Sequence, residues 1–290
     1  MFHYIPMLEF CEVSKVFKSE MFKKPFQALE NVNFVIPENQ IIGFLGANGA
    51  GKTTSIKIAM DFIRPTSGQI IYDKKLGQSK NEAFKKIGYL PERPFFYSHL
   101  TGREFCTYMG SLSEVSKSII KEKILFWAPR FKIDFALDRE IKTYSKGMLQ
   151  RVGFLATLLH DPALIILDEP LSGLDPIGRK ELKDIIVEVN KLGTTIFFSS
   201  HIVSDVEEIC NNVMFMTEGK IVFDGSVDKL INDHKKPISH IRYLKNGEII
   251  SEMVKDENKN KFLKDALSTN TEIISIEPER LSLEEIFYNV

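Results

Sequence analysis

Gly46-Ala47-Asn48-Gly49-Ala50-Gly51-Lys52-Thr53 follows the short apolar run Ile41-Ile42-Gly43-Phe44-Leu45. The octapeptide fits the phosphate-binding pattern G-x-x-x-x-G-K-[ST] at every fixed position. Glycines leave no Cβ in the way, so successive backbone N–H groups can turn inward toward phosphate oxygens. Lys52 is placed to reach the terminal phosphates of a nucleotide, and the Thr53 hydroxyl to take one position on Mg²⁺. A chance match somewhere in a chain of this length has a probability of about 1%. Context lowers it further. Ile41–Leu45 suits a buried parallel strand, and Ile56, Ala59, Met60 and Ile63 recur afterwards at helical spacing. Strand, loop and helix stand in the order the chemistry needs, with the helix adding the positive end of its dipole. Gly46, Asn48, Gly49, Ala50, Gly51, Lys52, Thr53 and Thr54 are therefore expected to hold the nucleotide.

A second constellation lies downstream. Leu164-Ile165-Ile166-Leu167-Asp168-Glu169-Pro170 is an apolar strand ending in two carboxylates. Adjacent acids are costly inside a core. At the carboxyl end of a parallel strand they face the crevice where ligands bind. Asp168 is expected in the Mg²⁺ shell, and Glu169 to orient or deprotonate the water that attacks a γ-phosphate. Taken alone, a solvated strand end before a Pro turn would explain the pair equally well. The phosphate loop tips the balance.

Composition bounds the rest. A chain of 290 residues can bury a large core, as one big domain or two modest ones. A net charge of −1 argues against a broad positive field for nucleic acid. The three cysteines, Cys11, Cys106 and Cys210, have no metal-ligand spacing and read as apolar residues of a reducing compartment. The N-terminal residues lack the pattern of a signal peptide, and no run approaches the apolar length that crosses a bilayer. The expected location is cytosolic unless a partner recruits the chain elsewhere.

Short strands are expected from Leu8 to Leu45 and at Gln69–Tyr72, a helical and polar segment with the sole Trp127 over about 94–160, and strands at Ala163–Leu167 and Thr194–Ser199. Leu182, Ile185, Ile186, Val189 and Leu192 mark one face of an intervening helix. Alternating strands and helices indicate an α/β fold with a largely parallel sheet. Beyond Lys235-Lys236-Pro237, which reads as a linker, come a hairpin around Asn246-Gly247, a helix at 262–267, a strand at 272–276 and a capping box at Ser282 and Glu285. These divide the chain into residues 1–230 and a small α+β accessory domain, 231–290.

Tyr144-Ser145-Lys146-Gly147-Met148-Leu149-Gln150-Arg151, just before the acidic strand, resembles the signature motif (LSGGQ) of the ATP-binding cassette, or ABC, ATPases. Tyr89-Leu90-Pro91-Glu92 stands where that family has its Q-loop. Leu171–Asp175 matches the D-loop, and Ser199-Ser200-His201 the switch histidine. Each match is short; six in the right order are specific. The resemblance covers about residues 8–225 and implies a P-loop NTPase core with an inserted helical subdomain. It also implies two cassettes paired head to tail on two ATP molecules with Mg²⁺. Ser145 and the Gly147 N–H would then grip the γ-phosphate across the dimer, Asp175 would link the two sites, and His201 would bond the γ-phosphate. An aromatic near the N-terminus stacks on adenine in the family; Phe17 is the first choice and Phe22 its rival. Taken singly, Ser199-Ser200-His201 reads as a helix cap, with Ser200 or Ser204 doing the capping, and Phe17 as a core residue.

Three departures stand out. Lys146 and Met148 replace a Gly and the Gln of the signature, leaving the phosphate-touching positions intact. Glu92 replaces the Q-loop glutamine, keeping an oxygen for metal or water but losing the amide donor. Such variants resemble ATPase subunits encoded apart from their permease, in a branch rich in exporters. The implied partners are separate transmembrane subunits on the cytoplasmic face of the membrane and a second ATPase subunit, identical or closely related. A soluble ABC ATPase acting on DNA or ribosomes is the alternative, although such chains usually carry two cassettes or long coiled coils. A GTPase would show N-K-x-D, which is absent. Arg93–His99, rich in aromatics, is either a hydrophobic turn or part of a groove for a permease helix.

Overall fold

The computed structural model describes residues 6–18, 25–233, 235–245, 247–269, 271–281 and 283–289. The chain divides after Gly225 into two compact units, five residues earlier than the sequence suggests.

The first unit is built around a six-stranded sheet. Its strands are β3 (Ile41–Leu45), β5 (Ile87–Leu90), β6 (Leu164–Leu167), β7 (Thr195–Ser200), β8 (Asn212–Thr217) and β9 (Lys220–Ser226), in the order β5-β6-β7-β3-β8-β9. The pairs β5/β6, β6/β7, β7/β3 and β3/β8 are parallel. All five residues of β3 and all four of β6 are buried, as their unbroken apolar sequence requires of strands covered on both faces. Both end at the same edge of the sheet, which brings the phosphate loop beside the two acids.

The segment before β3 departs from the expected run of short strands. It forms two long strands, β1 (Pro6–Phe17) and β2 (Phe26–Pro37), antiparallel to each other, and β1 pairs antiparallel with β4 (Ser67–Tyr72). This second sheet packs on the first through an aromatic seam. Phe10 stacks on Phe34 with ring centroids 4.1 Å apart, and Phe34 meets Phe44 at 5.8 Å and Phe197 at 6.0 Å. Each such pair adds about 0.5–1.5 kcal/mol beyond simple burial.

The helical segment contains α3 (Gly102–Leu112), α4 (Lys117–Arg130) and α5 (Lys146–Leu158). Thr101 and Glu104 form a reciprocal capping box at the start of α3. Trp127, Phe131 and Phe154 are buried and hold α4 on α5 edge to face. Between β6 and β7 runs α6 (Pro176–Lys191), burying Leu182, Ile185, Ile186 and Val189. Leu192, expected on the same face, is 65% exposed because the helix ends at Lys191 and the chain turns at Gly193. Cys106 is buried, whereas Cys11 and Cys210 are only half-buried.

The second unit starts with α8 (Val227–Asp233), then a three-stranded antiparallel sheet of β10 (Lys235–Lys245), β11 (Glu248–Lys255) and β12 (Glu272–Arg280), ordered β11-β10-β12. Lys235–Pro237, expected as a linker, opens β10 instead, because Lys235 pairs with Arg280 across the sheet. The helix α9 (Asp256–Ser268) covers one face, where Phe262 and Leu263 pack against Ile241, Tyr243 and Val254. The last helix is α10 (Leu283–Asn289). Asn246 of the expected hairpin turn and Ser282 of the expected capping box lie outside the described residues. No helix among the described residues is long and apolar enough to cross a membrane.

Candidate functional site

β3 delivers the chain into the phosphate loop, and α1 (Lys52–Ala59) takes it away. Gly51 holds φ +113°, a left-handed conformation closed to most side chains, and a Cβ there would also lie 2.8 Å from the Ala28 carbonyl. At Gly46 the obstacle is proximity: a Cβ would sit 2.5 Å from the Met216 carbonyl of β8. The first-turn N–H groups of α1 have no partner within the helix and stand at its positive end.

Lys52 is 6% exposed. Its ammonium donates to the carbonyls of Gly46 at 2.6 Å and Ala47 at 3.3 Å, and lies 3.4 Å from Glu169 Oε1. These contacts curl the side chain over its own loop, aimed where a β- or γ-phosphate would rest on the loop N–H groups.

The two acids are organised by a residue to which the sequence assigns no separate role. Ser199, fully buried at the end of β7, donates its hydroxyl to Asp168 Oδ1 at 2.7 Å and accepts the Glu169 N–H at 2.8 Å. Thr53 donates to the same Asp168 oxygen at 3.3 Å. Burial pushes the Asp168 carboxyl above its usual range, an effect opposed by the Ser199 and Thr53 hydrogen bonds and reinforced by the charges of Glu169 and Glu92. Burial also raises the neighbouring Tyr89 hydroxyl to about 12, with the Asp168 charge adding to the shift. Hydroxyl and carboxylate oxygens of this kind suit a hard cation, and a cation would relieve the crowding of negative charge. No cluster of three or more His, Cys, Asp or Glu among the described residues could hold a metal by itself. Mg²⁺ keeps most of its shell in water and phosphate oxygens and needs only one or two protein oxygens. Thr53 and Asp168 fit it, with Glu92 facing the same cavity.

Glu169 has φ +50°, unusual for a residue with a side chain, and the bend turns its carboxylate out of the strand. His201 Nδ1 lies 2.8 Å from Glu169 Oε2. His201 precedes α7 (Val203–Ile209), whose N-cap is Ile202. Ser200 does not cap that helix; its hydroxyl closes a local turn with the Ile202 N–H and carbonyl. Ser204, the other candidate cap, lies inside the helix.

These groups surround a cavity of about 400 Å³ whose walls include Phe26, Ala28, Glu92, Ser172, Glu169 and His201. Among the described residues, the aromatic ring of a Phe on its wall is that of Phe26, not Phe17. Phe17 pairs with Phe26 across the β1/β2 ladder, is 39% exposed, and has the Lys15 ammonium 5.1 Å from its ring centroid. Phe22 lies outside the described residues. The signal for Phe26 was present in the sequence, at the start of the strand leading to Ala28, but strand pairing decides which ring faces the loop.

Ser145, Gly147 and Asp175 do not line this cavity. Ser145 is exposed and caps α5 by accepting the Met148 N–H at 3.3 Å. Asp175, also exposed, caps α6 through the Gly178 N–H at 2.9 Å. Both therefore have a local structural role.

Residues 29–172 match the ABC transporter family model. The chain is 34% identical over 283 residues to the uncharacterized ABC transporter ATP-binding protein YxlF of Bacillus subtilis, covering 91% of this chain and 94% of that one. It is 35% identical over 280 residues to an uncharacterized ABC transporter ATP-binding protein of a Nostoc species, covering 90% and 82%. The bacitracin transport ATP-binding protein BcrA of Bacillus licheniformis is 37% identical over 212 residues, covering 72% and 68%. Among solved structures, an ATP-binding subunit of an ABC transporter aligns with a TM-score of 0.69 at 27% identity, over 78% of this chain and 92% of that one. The ATP-binding cassette MJ0796, in a dimeric post-hydrolysis state with ADP and Pi, shares the fold, with a TM-score of 0.68 at 21% identity over 76% and 99%.

Proposed function

This chain belongs to the ABC transporter ATP-binding family, and from that premise we propose that two such chains close on two ATP molecules to drive a separate membrane permease. The chain is an ATPase of that family and the ATP-binding subunit of a transporter. The paired arrangement, the residue roles, the permease partner at the cytoplasmic face and the direction of transport are the proposed part. The observation that carries the pairing is a half-site. The phosphate loop, Glu92, Glu169 and His201 surround one cavity, while Ser145 and Asp175 stand exposed outside it at the starts of two helices. A second chain would bring its Ser145 and Gly147 to the γ-phosphate, where the start of α5 favours negative charge.

In the proposed reaction a water oxygen attacks the γ-phosphorus, the bond to the bridging β,γ-oxygen breaks, and ADP and phosphate result. Glu169 accepts the proton of that water, and His201 holds the Glu169 carboxylate in place through its hydrogen bond. Lys52 offsets negative charge on the terminal phosphates. Mg²⁺, held by Thr53 and Asp168, would neutralise the phosphate oxygens when bound. Phe26, on the cavity wall, takes the adenine-stacking role.

The permease contact is proposed at an apolar groove of about 530 Å³ between α3, α5 and the segment after Glu92, lined by Tyr89, Phe95, Phe96, Phe105 and Met109 among others. Phe95 is 82% exposed there, while Phe96 packs on Phe105 at 5.0 Å. Export is the proposed direction, supported by the signature variants Lys146 and Met148 and by likeness to a relative named for bacitracin transport.

Sedimentation with and without ATP tests the pairing. The Glu169→Gln variant should run as a dimer with ATP, and adding Ser145→Arg should return it to monomer. A dimer that persists in the Ser145→Arg variant would remove Ser145 from the interface. Phe95→Ala should lose co-purification with the permease while the isolated chain keeps its melting temperature.

A further inference from the structure

Asp205 lies on α7, one helical turn past His201, and its side chain is 5% exposed. Two cations of α6 close on it. Arg179 donates through Nη2 to Oδ2, and Lys183 Nζ lies 3.6 Å from Oδ1. Arg179 and Lys183 are four residues apart, so both project from one face of α6. Lys183 pairs as well with Glu208, on the next turn of α7. A neighbouring side of α7 is also confined: Val206 approaches β3 so closely that a Cβ on Gly43 would lie 2.3 Å from its Cγ1.

α6, whose cations grip Asp205, has Asp175 as its N-cap. The Arg179 N–H bonds the Asp175 carbonyl at 2.9 Å, closing the first turn of α6 directly onto that cap. From Asp175 to His201 the connection is thus one helical turn, one buried carboxylate and a second turn. Apolar side chains would hold two helices together with less desolvation. Here the Arg179 hydrogen bond to Oδ2 and the Lys183 ammonium near Oδ1 engage both carboxylate oxygens, which fixes direction as well as distance. A contact of that kind suits a joint whose orientation matters.

We infer that Asp205 is a positioning residue: through Arg179 and Lys183 it locks α7 to α6, so that His201 and Asp175 shift as one body. A change felt at Asp175 by a second chain would then reach the histidine beside Glu169 without passing through the nucleotide. The inference rests on the proposed roles of His201 and Asp175.

The test is a double-mutant cycle on steady-state ATP hydrolysis by the full-length protein, with ATP affinity measured separately by a fluorescent ATP analogue. Asp205→Asn should lower kcat on the order of 10-fold, as a small misplacement of a catalytic group does, with nucleotide affinity unchanged. Combined with His201→Ala it should add no further loss, since its effect runs through His201. Asp205→Glu, which keeps the charge, should recover part of the rate. Losses that multiply in the double variant would overturn the inference and leave the reading of His201 standing. Wild-type turnover in His201→Ala alone would instead remove the reading itself, and the inference with it. Should Asp205→Asn not fold, Arg179→Lys enters the same cycle with the same expected non-additivity.

Discussion

His201 Nδ1 and Glu169 Oε2 are 2.8 Å apart, so the proposed base and the proposed switch histidine form a hydrogen-bonded pair. Glu169→Gln keeps the size and one acceptor oxygen but removes the proton acceptor. Hydrolysis should fall by about 100-fold or more, while ATP affinity is retained. Turnover close to wild type in a phosphate-release assay would end the general-base assignment.

Lys52→Ala should act on affinity itself. The ammonium is buried against the Gly46 carbonyl at 2.6 Å, and its loss removes the charge that meets the terminal phosphates. Calorimetric titration should show ATP binding weakened by about 10-fold or more, in line with a charge-assisted contact of about 1.5–3 kcal/mol. Unchanged affinity would mean that the phosphates rest elsewhere.

Asp168→Asn should separate stability from function. Burial and the nearby acids raise the Asp168 pKa, so the folded chain holds its proton more tightly than the unfolded chain does. The sign is therefore destabilising: stability falls as pH rises from the ordinary carboxylate range through the raised folded value. The amide removes that charge and keeps an oxygen for Ser199 and Thr53. Scanning calorimetry at neutral pH without nucleotide should give a higher melting temperature, by roughly 2–4 °C for each kcal/mol gained. Mg²⁺-dependent ATP hydrolysis should be lost.

Adenine contact distinguishes two neighbours in one ladder. Phe26→Ala should weaken ATP binding several-fold, since Phe26 lines the cavity and Phe17 does not. Phe17→Ala should leave it near wild type. The reverse ranking would restore Phe17 as the stacking ring.

Glu181 anchors the other face of α6. It accepts from Arg151 of α5 at 2.5 Å and from Lys132 at 2.5 Å. The Lys132 hydrogen bond and then the Arg151 contacts outweigh burial and hold its carboxyl below the usual 4.5. A lowered folded value means that the contribution is present above about pH 4.5 and is lost as pH falls through the folded value. Glu181→Gln should lower the melting temperature at pH 7, and the difference from wild type should shrink on acidification. An equal difference at pH 3 and pH 7 would show that charge is not the cause.

The phosphate loop, the acidic strand and the helical segment were legible because each is a local pattern: glycine spacing, an apolar run closed by acids, and helical periodicity. What escaped depends on residues far apart in the chain. Ser199 joins Asp168 to Glu169 across the β6/β7 boundary, which no spacing announces. The antiparallel sheet of β1, β2 and β4 is assembled by pairings such as Leu8 with both Ile36 and Tyr72. Arg179 and Lys183 meet a buried acid only because α7 packs beside α6, which helical spacing alone does not show. Lys235-Lys236-Pro237 has a linker's composition, yet sheet pairing with β12 draws it into a strand.

Glu169 carries its carboxylate on a backbone bent to φ +50°, and glycine adopts that bend more readily than glutamate does. Drift at this codon toward glycine or asparagine would relieve the fold while silencing the proposed chemistry. Lineages in which one member of a cassette pair has lost turnover would be expected to decay first here, leaving well-folded, nucleotide-binding copies. If Glu169 is the proposed base, the identity of residue 169 in a relative would mark which copies still cycle, with selection for sturdiness and selection for turnover pulling on it in opposite directions.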